Sequence, residues 1–181
     1  MELQQTTLKD CFILKPRIFQ DERGFFSETY NKQTFKKVTG LEIDFVQDNQ
    51  SISTYGVLRG LHFQRGPMAQ SKLVRVVKGK VLDIIVDIRK NSETFGKHIS
   101  VLLDDVEQKQ LFVPRGFAHG FITLSETSVF AYKCDNFYDK TSEGGIIYND
   151  ATLGLDWHLP KEELIISEKD KQLPAFKEAI L

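Results

Sequence analysis

The chain has 181 residues, 41% of them hydrophobic, and a net charge of -1. That length fits one domain able to bury a sizeable core without metal or disulfide staples. The balanced charge leaves no basic excess for a nucleic-acid backbone, and no apolar run approaches the roughly 20 residues of a membrane span.

Taken in order, the N-terminus MELQQTTLKDC lacks a basic start followed by an apolar run. Nothing marks it for secretion, and a cytoplasmic location is expected. Cys11 and Cys134 have no metal-type spacing and do not make a disulfide framework. CFILKPRIF (11–19) reads as a strand with Pro16 at an edge or bulge, and QDERGFFSETY (20–30) as a turn into an aromatic strand. NKQTFKKVTG (31–40) predicts a helix, with Asn31 as cap, Phe35 and Val38 on one face and Gly40 closing it. DFVQDNQSIS (44–53) is a polar strand or loop. KLVRVVKGKVLDIIVDIR (72–89) reads as a hairpin turning at Lys78-Gly79, its second arm setting Leu82, Ile84, Val86 and Ile88 against Val81, Asp83, Ile85 and Asp87. Further strands are expected at 98–103, 110–114, 119–124 and 128–134. Helix signals return only around 161–164 and 175–180. Short strands at intervals of about ten residues, without alternating long helices, predict an all-β sandwich or jelly roll. Such a barrel can hold one ligand in its mouth.

Between these elements lies YGVLRGLHFQRGPMAQSK (55–72), an apolar strand-like run that contains His62 with Arg59 before it and Lys72 after it. A base active near neutral pH beside two cations suits proton abstraction from an anionic substrate. Taken alone, the stretch reads rather as a satisfied core histidine with surface cations, and only the rest of the sequence reverses that reading. A straight strand would also send Arg59 and His62, three apart, to opposite faces. A shared site therefore demands a bulge or bend at Arg59-Gly60, and Gly60 is the residue best able to supply it.

The blocks FQDERGFFSETY, DFVQDNQS, VLRGLHFQ, KLVRVVKGKVLDIIVDIR, FVPRGFAHGF, YKCDNFY, IIYND and SEKD follow one another along nearly the whole chain. Together they resemble the dTDP-4-dehydrorhamnose 3,5-epimerase family of dTDP-L-rhamnose synthesis. The resemblance implies a cupin-type jelly roll (double-stranded β-helix) that forms a homodimer. It also implies a reaction that removes protons at C3 and C5 beside a C4 ketone and returns them on the opposite face. Such chemistry needs a base, an oxyanion stabiliser and an acid around one ring. The matching positions make His62 the base, Asp170 its orienting carboxylate, Tyr132 the acid and Lys72 the cation near the C4 oxygen. Read without the family, Asp170 is a solvated acid in a charged stretch, Tyr132 a core aromatic and Lys72 a surface lysine.

For the rest of the substrate, the resemblance implies that Arg23 and Arg59 hold the diphosphate and that Phe26 and Tyr138 offer aromatic surfaces. It adds Glu28, Gln47, Asp48, Asn49, His119, Glu143 and Lys169 as substrate contacts, with the Arg23–Glu28 strand entering the partner subunit's site. Many cupins bind metal through an H-x-H pair followed by a glutamate. Here the matching place reads His62-Phe63-Gln64, so neither metal nor cofactor is expected. A single-carbon epimerase on a related dTDP-ketosugar, a metal-dependent cupin and a non-catalytic sugar-nucleotide binder are the competing readings.

Overall fold

The computed structural model describes residues 1–181. The first third of the chain holds β1 (Glu2–Gln5), β2 (Phe12–Lys15), β3 (Ile18–Asp21), β4 (Gly24–Ser27), α1 (Lys32–Thr39) and β5 (Gln47–Thr54). Then come β6 (Val57–Gln64), β7 (Lys72–Lys78), β8 (Lys80–Asp87), β9 (His98–Asp104) and β10 (Gln110–Val113). The remainder holds β11 (Phe117–Thr123), β12 (Thr127–Cys134), β13 (Glu143–Gly145), β14 (Ile165–Ile166) and α2 (Glu168–Lys171). No helix is long and apolar enough to cross a membrane.

One sheet runs β1-β2-β10-β7-β12-β5 and the other β13-β6-β11-β8-β9, with β14 beside β6. Aliphatic and aromatic side chains from both sheets, among them Val74, Leu111 and Phe130 against Val81, Ile85 and Phe121, meet in one buried cluster. The two layers thus close on each other as an antiparallel jelly roll of the cupin kind. The outer face of the β6-side sheet is covered by the C-terminal third, where Tyr148, Leu153, Trp157 and Phe176 pack on Leu58, Leu82, Ile84 and Val86. That double burial explains why both faces of β8 are apolar.

Local signals placed several elements well. α1 starts at Asn31, whose side chain accepts from the Thr34 N–H, and ends at Gly40 with φ 74°. Pro16 separates β2 from β3 instead of bulging a single strand. The expected hairpin at Lys78-Gly79 is not one. β7 pairs with β10 and β12, while β8 pairs with β11 and β9, so the turn carries the chain from one sheet to the other. Gly79 is needed there, since its φ is 85° and a Cβ would lie 2.2 Å from the Thr127 carbonyl oxygen. At the C-terminus, residues 161–163 form only a short 3-10 turn, and 175–180 form turns rather than a helix. The regular helix is α2, which the sequence patterns do not reveal.

The two acids of β8 have separate uses. Asp87 is gripped by Arg89, Ser92 and Thr94, which outweigh the opposing effect of burial and bring its carboxyl down to about 2. It pins the strand's end. Asp83 points instead toward the space between the sheets.

Candidate active site

β6 carries the centre of the site, and its pairing with β11 is irregular. His62 faces His119 and Arg59 faces Phe121, so three steps on β6 match two on β11. The extra residue falls at Gly60-Leu61, where Gly60 has φ 126°. Leu58, Leu61 and Phe63 all enter the core, whereas Arg59 and His62 both line one cavity of about 570 Å³. The demanded bulge is present, and it turns two side chains three residues apart to one side. Only glycine suits the crossing, because a Cβ on Gly60 would lie 2.5 Å from the Gly120 Cα.

The His62 Nε2 lies 2.8 Å from an Asp170 oxygen. Asp170 reaches it from α2, whose start is capped by Ser167, and its other oxygen accepts from the Gly60 N–H at 3.2 Å. The bulge therefore also exposes the amide that anchors the carboxylate. Asp170 is 4% exposed. Burial works to raise its carboxyl, but the His62 bond and charge, the Gly60 amide and Ser167 outweigh it and hold the group below its ordinary value. An ionised carboxylate only accepts, so Nε2 carries the hydrogen in the neutral imidazole and Nδ1 keeps the free lone pair.

Facing His62 from the opposite sheet are Tyr132 on β12 and Lys72 at the start of β7. The Lys72 ammonium lies 5.8 Å from the centre of the Tyr132 ring and has no carboxylate salt bridge. Burial pushes that ammonium down from its ordinary value, against the pull of Cys134, Asp83 and Glu143. Burial likewise raises the Tyr132 phenol, helped by Cys134 and opposed by Arg59. A desolvated cation without a directly paired carboxylate, next to a phenol that keeps its proton, is well suited to an anion that forms during reaction.

His119 lines the same cavity, 2.9 Å from an oxygen of fully buried Asp83. The other Asp83 oxygen has no partner. Asp83 is the buried partner of a cavity-lining residue that sequence reasoning overlooks, although an acid inside the apolar run VLDIIV is the available signal. Arg59 donates to the Ser53 hydroxyl at 3.1 Å and is otherwise exposed at the mouth.

A neighbouring cavity of about 350 Å³ shares His62, Lys72 and Tyr132 and adds Gln47, Asn49, Tyr138 and Glu143. At its rim the Tyr138 hydroxyl donates to Glu143 at 3.2 Å, and Lys169 reaches both Glu143 oxygens at 2.7 Å. The Glu143 carboxyl lies below its ordinary value, since Lys169, Tyr138 and His62 outweigh the effect of burial. Two adjoining compartments around one histidine fit a ligand with two chemically different ends. No three His, Cys, Asp or Glu side chains are placed to hold a metal.

Four expected residues are not brought into this cluster. Asp48 alternates to the far face of its sheet, paired with Lys133 at 2.7 Å, because Gln47 and Asn49 take the inner side of β5. Arg23, Phe26 and Glu28 belong to or flank the β3–β4 hairpin, which pairs only with itself and is almost wholly exposed. Arg23 meets Asp21, and Glu28 accepts from Asn31 at 3.2 Å. Within one chain none of the three lines either cavity around His62.

The family model described as dTDP-4-dehydrorhamnose 3,5-epimerase matches residues 5–178. The enzyme of that name from Salmonella typhimurium is 50% identical over 98% of this chain and 96% of its own length. The crystal structure of the Elizabethkingia anophelis enzyme of the same name superposes with a TM-score of 0.94 at 56% identity, covering 98% of this chain and 97% of that one. A 3,5-epimerase from Legionella pneumophila, solved in complex with dTDP-4-keto-L-rhamnose, gives a TM-score of 0.94 at 41% identity over 98% of this chain and 93% of its own.

Proposed function

The chain belongs to the dTDP-4-dehydrorhamnose 3,5-epimerase family, and we propose from that premise that His62 and Tyr132 work on opposite faces of a bound 4-ketosugar. The enzyme converts dTDP-4-dehydro-6-deoxy-D-glucose to dTDP-4-dehydro-L-rhamnose. The observation that carries the division of labour is a carboxylate-held imidazole and a protonated phenol lining one cavity from opposite sheets. His62 Nδ1 takes the proton from C3 or C5. The C–H electrons become a double bond to C4, and the ketone electrons settle on oxygen as an enolate. Lys72 lies on the side of the cavity where it stabilises that oxygen. The Tyr132 hydroxyl then gives a proton to the opposite face and the ketone reforms. Solvent restores the phenol and takes the proton from the imidazolium. His119, held by Asp83, adds a donor to the sugar. The rim formed by Tyr138, Glu143 and Lys169, with Gln47 and Asn49 beside it, receives the nucleotide, and Arg59 the diphosphate.

Tyr132→Phe tests the acid. This variant is expected to retain solvent exchange of the substrate's α-protons while forming rhamno-configured product at least tenfold more slowly, in keeping with loss of a general acid worth roughly 10²–10⁴. Normal product at a normal rate, followed by NMR, would move the proton donor elsewhere.

The working enzyme is a homodimer in which a second copy supplies Arg23, Phe26 and Glu28. Supporting this is a hairpin that leaves Phe19, Phe25 and Phe26 exposed and turns Arg23 away from its own chain's cavity. Apolar strands of that kind are rarely left bare. Arg23→Ala and His62→Ala subunits, each nearly inactive alone, should regain activity on co-refolding, because mixed dimers contain one intact site. No regain, with mixed dimers present by mass spectrometry, would rule out the shared site.

A further inference from the structure

We propose that Gln64 is a positioning residue for the nucleobase end of the substrate, acting through the loop that presents Tyr138. The proposal rests on the reading of this protein as a dTDP-sugar enzyme and concerns a residue with no role in the proton transfers.

Gln64 is the last residue of β6, two positions after His62, and is 8% exposed. Its amide is engaged at both ends. The Nε2 donates to the Met68 carbonyl at 2.7 Å and the Phe137 carbonyl at 3.0 Å, and the Oε1 accepts from the Asp139 N–H at 2.6 Å. Two of these groups bracket Tyr138. The Tyr138 N–H itself donates to the Gln47 Oε1 at 2.9 Å, so two glutamines hold three successive residues of backbone. Asn136 ties the same loop to the Pro67 carbonyl at 2.9 Å, and Gln70 donates to the Asn136 carbonyl at 2.8 Å.

The loop needs such restraint. Tyr138 is 55% exposed and Phe137 60%, so apolar burial supplies little to fix either ring. An aromatic surface that must order on binding loses affinity to that ordering, and a surface held beforehand does not. The carbonyl and amide that Gln64 satisfies have no alternative partners in a sheet, since β12 ends at Cys134 and β13 begins only at Glu143. The side chain thus links the strand that carries the catalytic base to the loop that carries the stacking face. Its effect is on substrate binding, not on the chemical step.

The test compares wild type, Gln64→Met, Tyr138→Ala and the double variant by dTDP calorimetry and by steady-state kinetics. Gln64→Met keeps side-chain volume but removes every bond. It is expected to weaken dTDP binding and raise KM about 5- to 30-fold, the equivalent of one to two net hydrogen bonds, with kcat within about twofold of wild type. The loss should disappear when Tyr138 is already alanine, because the loop then has no ring to present. A merely structural role would lower kcat and dTDP affinity alike in both backgrounds. Should Gln64→Met fail to fold, Gln64→Glu carries the same test, since it fills the same space and accepts from Asp139 but opposes two carbonyls. Unchanged dTDP affinity, or an equal loss without Tyr138, overturns the proposal. Wild type that does not bind dTDP overturns the functional reading instead, and the proposal with it.

Discussion

Replacing His62 by alanine is expected to cut turnover by roughly 10²–10⁴, the usual worth of a positioned general base, while leaving dTDP affinity nearly unchanged. The expectation follows from position. His62 lies where the two compartments meet, bonded at 2.8 Å to a carboxylate that is 4% exposed. Removing the ring leaves Asp170 with the Gly60 amide as its remaining anchor in the site. The nucleotide rim of Tyr138, Glu143 and Lys169 keeps all its bonds. Loss of kcat with an unchanged Kd for dTDP, measured by calorimetry, is therefore the signature. Near-normal turnover would remove His62 from the base role and leave His119 as the other histidine lining the cavity.

The second large effect is expected at Gly60, and it tests the backbone rather than the chemistry. Gly60→Val places a β-branched side chain at φ 126°, with the Cβ 2.5 Å from the Gly120 Cα and 2.8 Å from the His119 carbonyl oxygen. The left-handed strain costs about 1–3 kcal/mol. Forcing two strands apart adds a further ~1–3 kcal/mol. A fall in Tm of about 10 °C is expected for a chain of this size. Gly154→Val is the control, since Gly154 has φ 59° but nothing within 4 Å of its Cβ position, and so suffers the strain alone. Activity of Gly60→Val should fall further than its folded fraction, because opening β6 from β11 moves Arg59, His62 and the amide that holds Asp170 together. Equal unfolding temperatures for the two variants would mean that the close approach is unimportant.

The bulge at Gly60 is legible in the sequence because two needs conflict. Arg59 and His62 had to share a ligand, strict alternation forbade it, and the residue between them was the one best able to break the pattern. α1 was legible because its caps, Asn31 and Gly40, act within four residues of what they cap. The turn at Gly79 was misread for the opposite reason. A glycine between two apolar arms records a reversal of direction, but whether the arms pair depends on partners far along the chain. β13 and β14 are three and two residues long and are held by β6, so they carry no period of their own.

The site divided along similar lines. His62, Tyr132, Lys72 and His119 interrupt apolar strands, and the structure gathers them in one cavity. Asp170 sits in a charged stretch that gives no sign of burial, and only the resemblance to a family singled it out. Asp83 stands out as an acid among aliphatic residues, but in an alternating strand it is indistinguishable from an outward-facing polar residue. Asp48 lies on the opposite face from Gln47 and Asn49, since neighbours in a strand point to opposite faces.

The claim that one histidine–carboxylate pair and one phenol serve both carbons is tested most directly by running the reaction in heavy water and reading deuterium at each position by NMR. Deuterium is expected at both C3 and C5 of dTDP-4-dehydro-L-rhamnose formed by the wild-type enzyme, and at neither carbon above background with His62→Ala. Deuterium at one carbon alone would contradict the double epimerisation, and its absence from both would contradict the proton-transfer mechanism itself.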